Sequence, residues 1–199
     1  MDLFHASGTN LLPCDGTVIY YGRIFPEEEA SRYFSSLMDG VPWKNDEVVI
    51  FGKRIVTARK VAWYGDAGCD YTYSGTTKQA LPWNTKLLEL KSAAERISGE
   101  SFNSCLLNLY HDGSESMGWH SDDEKEIARD SAIASLSFGA KRRFAFRHKE
   151  TKEKVELTLE NGSLLVMKGE TQRHWQHQLP KAAKITTPRI NLTFRKMVR

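Results

Sequence analysis

The chain has 199 residues, enough to bury a sizeable core, and its 28 Lys and Arg against 25 Asp and Glu leave a net charge of +3. So mild a charge excludes binding of nucleic acid through the whole surface and leaves that task to local basic clusters. Three widely spaced cysteines without a Cys-x-x-Cys pair exclude a disulfide framework and a zinc knuckle, and with no secretion signal and no apolar run of membrane length the expectation is a monomeric cytoplasmic protein, nuclear in a eukaryote, with no membrane partner.

Residues 17–21 read as a strand. Pro26 and the acids Glu27, Glu28 and Glu29 then open a helix running to about Met38, with Pro in the first turn and negative charge at the positive helix end. A second helix is expected over 86–97, where Leu87, Leu88, Leu90, Ala94 and Ile97 form an apolar stripe for packing on a sheet. From there on the signals are nearly all strand: 104–110, 132–138, 143–148, 154–159, 163–167, 172–177 and 189–195, punctuated by glycines. Asn161-Gly162 predicts a hairpin turn between 154–159 and 163–167. The pattern predicts an α+β, mainly β fold: a two-sheet jelly roll buttressed by helices placed early in the chain.

The chemistry is concentrated in the strand-rich part. His120 and Asp122 are two apart, so in an extended segment both project to one side and are able to chelate one ion. Two imidazoles and one carboxylate on one face of a metal leave the opposite positions open, as in non-haem Fe(II) oxygenases, and the third ligand must come from a distant strand. His174 and His177 are the candidates; in an extended segment they point to opposite faces, so only one looks inward. In 190–195, Ile190, Leu192 and Phe194 alternate with Asn191, Thr193 and Arg195, and Arg189 shares the polar face, which predicts a half-buried strand aiming two arginines at one cavity. The Arg189 and Arg195 Cα atoms lie roughly 20 Å apart at strand rise, and each side chain reaches about 7 Å, a span suited to the two ends of a five-carbon diacid. Asn108 and Tyr110 share a face of 104–110 and offer neutral hydrogen-bond partners beside that clamp.

The order Asn108-x-Tyr110, His120-x-Asp122, His177, Arg189-x-Asn191-Leu-Thr-Phe-Arg195 resembles the AlkB family of Fe(II)/2-oxoglutarate dioxygenases, and within it the homologue type that repairs double-stranded DNA. The resemblance runs from about residue 15 to the C-terminus. It includes Phe51-Gly52-Lys53, Arg59-Lys60, Tyr64-Gly65-Asp66-Ala67-Gly68, Tyr71-Thr72-Tyr73-Ser74-Gly75 and Ser137-Phe138-Gly139-Ala140.

The resemblance implies one AlkB-like domain over 1–199. About 1–100 form an N-terminal extension with a nucleotide-recognition lid at roughly 40–80, and about 101–199 form a double-stranded β-helix that carries catalysis. It implies Fe(II), 2-oxoglutarate as co-substrate and dioxygen, used to demethylate bases such as 1-methyladenine and 3-methylcytosine in DNA. His120, Asp122 and His177 are then the metal ligands, with no catalytic side chain beyond them. Arg189, assisted by Asn108 and Tyr110, holds the distal carboxylate of 2-oxoglutarate; Arg195 sits near the keto-acid end, and Asn191 and Thr193 line the pocket.

A stacked base is out of reach, so the target must be flipped or single-stranded. Tyr73 matches the aromatic that stacks on the flipped base, flanked by Tyr71, while Phe51 next to Gly52 matches an apolar finger that fills the vacated stack. Asp123 and Glu124 are placed to read an exocyclic amine. Phosphate contacts are expected from Lys53-Arg54, Arg59-Lys60, Lys141-Arg142-Arg143, Arg147-His148-Lys149 and Lys181 with Lys184. One departure stands out: the segment after Arg147-His148-Lys149 is shorter and more charge-mixed than in the double-strand type, which predicts a weaker hold on a second strand. The same chemistry on RNA, or a non-catalytic nucleic-acid-binding jelly roll, are the alternatives.

Overall fold

The alternating segments of the C-terminal half become two facing sheets in the structure, a computed structural model that describes residues 8–50, 53–69, 71–73 and 76–198. The strands are β1 (Thr17–Arg23), β2 (Lys44–Ile50), β3 (Lys53–Gly65), β4 (Tyr71–Tyr73), β5 (Thr76–Lys78), β6 (Ser104–Tyr110), β7 (Met117–His120), β8 (Ile133–Gly139), β9 (Arg142–His148), β10 (Lys154–Leu159), β11 (Ser163–Lys168), β12 (Trp175–Leu179) and β13 (Arg189–Arg195). The helices are α1 (Glu27–Gly40), α2 (Thr85–Ser98) and the single turn α3 (Thr171–His174). The larger sheet runs β1-β11-β8-β13-β6-β3-β2, the smaller β10-β9-β12-β7, and β4 pairs with β5. Every pairing within them is antiparallel. This is the expected jelly roll with helices on one side.

Two apolar layers hold it together. Leu107, Leu136, Ile190, Leu192 and Phe194 on the outer face of the larger sheet bury against Ala30 and Leu37 of α1 and Leu87 and Leu90 of α2. Between the sheets, Val18, Ile133, Leu165 and Met167 meet Phe144, Phe146, Trp175 and Leu179. A one-residue slip of β13 would turn Ile190, Leu192 and Phe194 away from the helices, a loss on the order of 5–9 kcal/mol of burial, so the outer layer fixes which side chains face inward. Because β13 lies between β8 and β6 in mid-sheet, it is buried on both faces rather than half-buried as its alternation predicted.

Helix α2 is capped by Asn84, which accepts the Leu87 N–H at 2.9 Å, and ends at Gly99 in the left-handed region. Its buried stripe is Leu87, Leu90, Ala93 and Ala94; Leu88, which the sequence placed in that stripe, is 44% exposed. Pro26 is the residue before the first turn of α1, with extended ψ, rather than part of that turn.

Three further expectations fail for physical reasons. Asn161-Gly162 does not close a hairpin: β10 belongs to the smaller sheet and β11 to the larger, so the pair turns the chain from one sheet to the other. Gly162 adopts φ +73 there, its N–H donates to the Ser137 carbonyl, and a Cβ would stand 2.9 Å from that of Ala30. The Asn161 side chain serves the corner, accepting the Gly139 N–H and donating to Glu27. Next, 172–177 is not one strand, because Thr171–His174 forms a helical turn before β12 begins. Finally, β7 and the long β2–β3 hairpin went unread; the hairpin prolongs the edge of the larger sheet through the region expected to form the lid.

A candidate metal and dicarboxylate centre between the sheets

His120 ends β7, Asp122 follows two residues on, and His177 sits directly across the ladder from His120 in β12. One ligand atom from each lies within 4.8 Å of the others. The imidazole rings meet edge-on with centroids 4.2 Å apart, and His120 Nε2 stands 3.7 Å from Asp122 Oδ1. The chain between them is pinned by Ser121 Oγ on the Trp175 carbonyl and by the Asp122 N–H on Gln172 Oε1.

The tautomer decides what such a cluster is able to bind. His120 Nδ1 donates to the Gly118 carbonyl at 2.8 Å, which leaves the Nε2 lone pair aimed at the cluster. Cys14, Asp15 and His148 also bring three ligand atoms together, but there His148 Nδ1 accepts the Glu150 and Thr151 N–H groups, so the ring proton sits on Nε2 facing Asp15 and no lone pair is left for a metal. His174 does not compete either. It lies on α3, 3.8 Å from Glu170 and stacked beside His148.

Electrostatics complete the centre. Burial alone would raise the Asp122 pKa, yet Arg195, whose Nη2 is 2.8 Å from Asp122 Oδ2, together with His177 and His120, holds the carboxyl well below the ordinary range. Burial, reinforced by His120 and Arg195 and opposed by Asp122, pushes His177 down to about 3. Near neutral pH the cluster therefore presents a carboxylate and a neutral imidazole that need not lose a proton to bind metal.

The same three residues form one wall of a cavity of about 60 Å³, whose other walls carry Asn108, Tyr110, Arg189, Asn191, Thr193 and Arg195. The cavity thus gathers all six residues that the sequence suggested for a dicarboxylate. Arg195 is at the metal end, in its ion pair with Asp122, and Arg189 enters from the other end of β13. Arg189 is 2% exposed, and its Nη2 donates to Ser137 Oγ at 2.8 Å and Asn191 Oδ1 at 2.7 Å. Asn191 in turn donates to Thr193 Oγ1 and accepts from Ser135 Oγ. Arg189 Nε and Asn108 Oδ1 are buried without a hydrogen-bond partner, and burial, opposed by Tyr110 and aided by Arg142, lowers the Arg189 guanidinium to about 10. A buried guanidinium with neutral partners and an idle N–H calls for an anion, so the residues present fit a ligand carboxylate. Two imidazole lone pairs beside a carboxylate likewise fit a divalent iron.

Ser135, Ser137, Met117 and Phe144 belong to this site and were given no role in it from the sequence. Ser135 and Ser137 alternate with Ala134, Leu136 and Phe138 along β8, the signal that would have found them. Asp123 is exposed, 3.8 Å from Lys149, and with half-buried Glu124 and Asp122 it lines a neighbouring cavity of about 380 Å³. Tyr71 and Tyr73 fall on β4, while Phe51 and Gly52 lie outside the described residues.

Several expected phosphate contacts are withdrawn. Arg59 is 7% exposed and ion-paired with Asp46; Arg142 is 1% exposed and donates to the carbonyls of Asp112, Glu115 and Pro180; His148 is buried in the cluster already described. Lys141, Arg143, Lys181 and Lys184 are exposed, and Arg147 lies 4.4 Å above the Trp119 ring. The short segment after Lys149 closes a tight turn from β9 to β10, in which the His148 N–H donates to the Glu153 carbonyl. Among the described residues no helix is long and apolar enough to cross a membrane.

Comparison with known proteins agrees with this geometry. The family model of the 2OG-Fe(II) oxygenase superfamily matches residues 17–195. The chain is 40% identical over 207 residues to the human DNA oxidative demethylase ALKBH2, covering 98% of this chain and 79% of that protein. It is 43% identical over 178 residues to the bovine alpha-ketoglutarate-dependent dioxygenase alkB homolog 3, covering 84% and 62%. The solved structure of OsALKBH1 superposes with a TM-score of 0.61 at 15% identity, covering 93% of this chain and 98% of that one, a likeness of fold.

Proposed function

The chain belongs to the 2OG-Fe(II) oxygenase superfamily, in its AlkB branch, and from that premise we propose that it is a DNA oxidative demethylase that restores bases such as 1-methyladenine and 3-methylcytosine. The observation that carries the proposal is the cavity in which His120, Asp122 and His177 face a buried Arg189 whose Nε–H has no hydrogen-bond partner.

His120, Asp122 and His177 would hold iron(II), and Arg189, with Asn108 and Tyr110, the distal carboxylate of 2-oxoglutarate. When bound, iron, 2-oxoglutarate and dioxygen supply the oxidising power that hydroxylates the alkyl carbon, 2-oxoglutarate leaving as succinate and CO2 and the hydroxylated base collapsing to base and aldehyde.

The protein supplies position and electrostatics. Arg195 holds Asp122 ionised and fixes its carboxylate beside the imidazoles. The Gly118 carbonyl fixes the His120 tautomer. Phe144 stacks on the His177 ring at 5.5 Å and, with Leu179 and Met167, keeps that side of the cavity apolar and free of bulk water. Asn191 and Thr193 relay hydrogen bonds that hold Arg189 in line.

For the substrate we assign Tyr73 to stacking on the flipped base with Tyr71 beside it, Phe51 and Gly52 to the finger that fills its place, and Asp123 and Glu124 to its exocyclic amine. Of the exposed basic side chains, Lys141 pairs with Glu160 and Arg143 with Glu156, which leaves Lys181 and Lys184 for phosphate.

The test is an assay with Fe(II), ascorbate and 2-oxoglutarate on 1-methyladenine oligonucleotides, single-stranded and duplex, read by product mass. Loss of one methyl mass only in the presence of 2-oxoglutarate is expected, and the ratio of the two rates gives strand preference. No loss on either strand form by iron-binding protein would overturn the assignment to DNA.

A further inference from the structure

Asp122 lies two residues past the end of β7, beyond the last rung of its ladder with β12, the pair His120 and His177. The sheet therefore does not hold its main chain. A side chain does: the Asp122 N–H donates to Gln172 Oε1 at 2.9 Å, from 50 residues further along the sequence. An N–H requires an acceptor, so the amide oxygen of Gln172 faces Asp122, and its Nε2 turns to Met167 Sδ at 3.4 Å, on the wall of the metal cavity. The neighbours of Asp122 are tied to the same stretch of chain. Ser121 Oγ donates to the Trp175 carbonyl at 3.0 Å, and Lys149, 3.8 Å from the Asp123 carboxylate, donates to the Gln172 carbonyl at 2.9 Å.

The turn α3 gives this anchor a fixed base. Thr171 accepts the Thr17 N–H at 2.9 Å and donates to the Lys168 carbonyl at 2.7 Å, while Arg173 pairs with Asp130 at 3.1 Å. Gln172 thus stands between two residues locked to other parts of the fold, which a group that holds a ligand in place requires. Asp122 is 5% exposed, so water is no substitute for the amide oxygen at its N–H. Its carboxylate is held separately by Arg195, and a short side chain reaches the imidazoles only if its main chain stands in the right place. We propose that Gln172 is a positioning residue for the metal centre: its amide fixes the main chain of Asp122 so that the carboxylate meets His120 and His177, and α3 is the latch that carries it. The inference rests on the reading of these three side chains as a metal site.

The test is Mn(II) titration followed by electron paramagnetic resonance, without 2-oxoglutarate or DNA, on wild type, Gln172→Met and Gln172→Glu, with the urea midpoint of each metal-free protein beside it. Methionine is unbranched and adaptable but gives the N–H no oxygen, whereas glutamate restores one. Gln172→Met is expected to bind Mn(II) about tenfold more weakly, and Gln172→Glu at least as tightly as wild type. A residue that served the fold alone would lower the urea midpoint and leave Mn(II) affinity unchanged. That result, or a Gln172→Glu as weak as Gln172→Met, overturns the inference. Wild-type protein that does not bind Mn(II) overturns instead the reading of the three side chains as a metal site. Should Gln172→Met not fold, amide hydrogen exchange of wild type decides: the Asp122 N–H is expected to be protected although it lies outside the β7 ladder, and exchange at the rate of an open loop overturns the proposal.

Discussion

Arg195 Nη2 lies 2.8 Å from Asp122 Oδ2, and both side chains are 5% exposed, so the last residue of β13 holds the carboxylate that two imidazoles face. The pair is a structural element as well as a part of the site. Removing the arginine leaves a buried carboxylate without its cation, a change that typically costs about 3–5 kcal/mol. Arg195→Met is therefore expected to lower the urea midpoint of metal-free protein strongly. Added Mn(II) should recover part of that loss by supplying positive charge at Asp122, and a midpoint within error of wild type would mean that the pair contributes nothing.

The pH dependence of metal-free protein follows from His177. Its folded pKa, about 3, lies below the ordinary 6.5, so as pH falls the unfolded chain takes up the proton first and stability drops. The loss begins near pH 6.5, amounts to about 1 kcal/mol by pH 5.5, and continues to about pH 3. Asp122, also lowered, adds a loss of the same sign below about pH 4. Urea unfolding at pH 7.5 and 5.5 should show this slope in wild type and a flatter one in His177→Gln. Equal slopes would place the titrating group elsewhere.

Arg189 gives a prediction of opposite sign. In the ligand-free protein it is a buried cation with only neutral hydrogen-bond partners, so its burial opposes folding. Arg189→Met is expected to leave ligand-free stability unchanged or raised, while abolishing the thermal stabilisation by 2-oxoglutarate with Mn(II), which at a hundredfold excess over Kd is worth about 2.7 kcal/mol in wild type. A variant that still gains stability from 2-oxoglutarate would remove Arg189 from the site.

Much of this site was legible because strands write their faces into alternation. Arg189, Asn191, Thr193 and Arg195 are separated by residues that must bury, and the same holds for Asn108 and Tyr110 on β6, so knowing the core face fixes the polar one. The features that escaped depend on partners distant in sequence. Asn161-Gly162 has the chemistry of a hairpin turn, but packing of Gly162 against α1 makes it a corner between sheets. Arg59 and Arg142 look like surface charges until Asp46 and the carbonyls of Asp112, Glu115 and Pro180 are brought to them from elsewhere. The turn α3 was hidden because its stabilising contact is also remote: the Thr171 hydroxyl donates to the Lys168 carbonyl and accepts the Thr17 N–H, joining the turn to β1.

That turn separates the two histidines. Had 172–177 been extended, His174 and His177 would differ only in which face they occupy, and a small twist could exchange them. With His174 on α3, the exchange requires unwinding a turn whose Thr171 is 1% exposed and whose Arg173 pairs with Asp130 and Glu170. His174→Ala removes a partly exposed ring that touches Glu170 and His148, so the cost in stability should stay below about 1 kcal/mol. Its metal affinity and turnover should match wild type. His177→Ala should bind Mn(II) at least about tenfold more weakly and lose turnover, because only His120 and Asp122 of the three clustered side chains would remain to hold the ion. Mn(II) titration followed by electron paramagnetic resonance distinguishes the two: unchanged affinity in His177→Ala, or a loss in His174→Ala as large as that in His177→Ala, would transfer the ligand role.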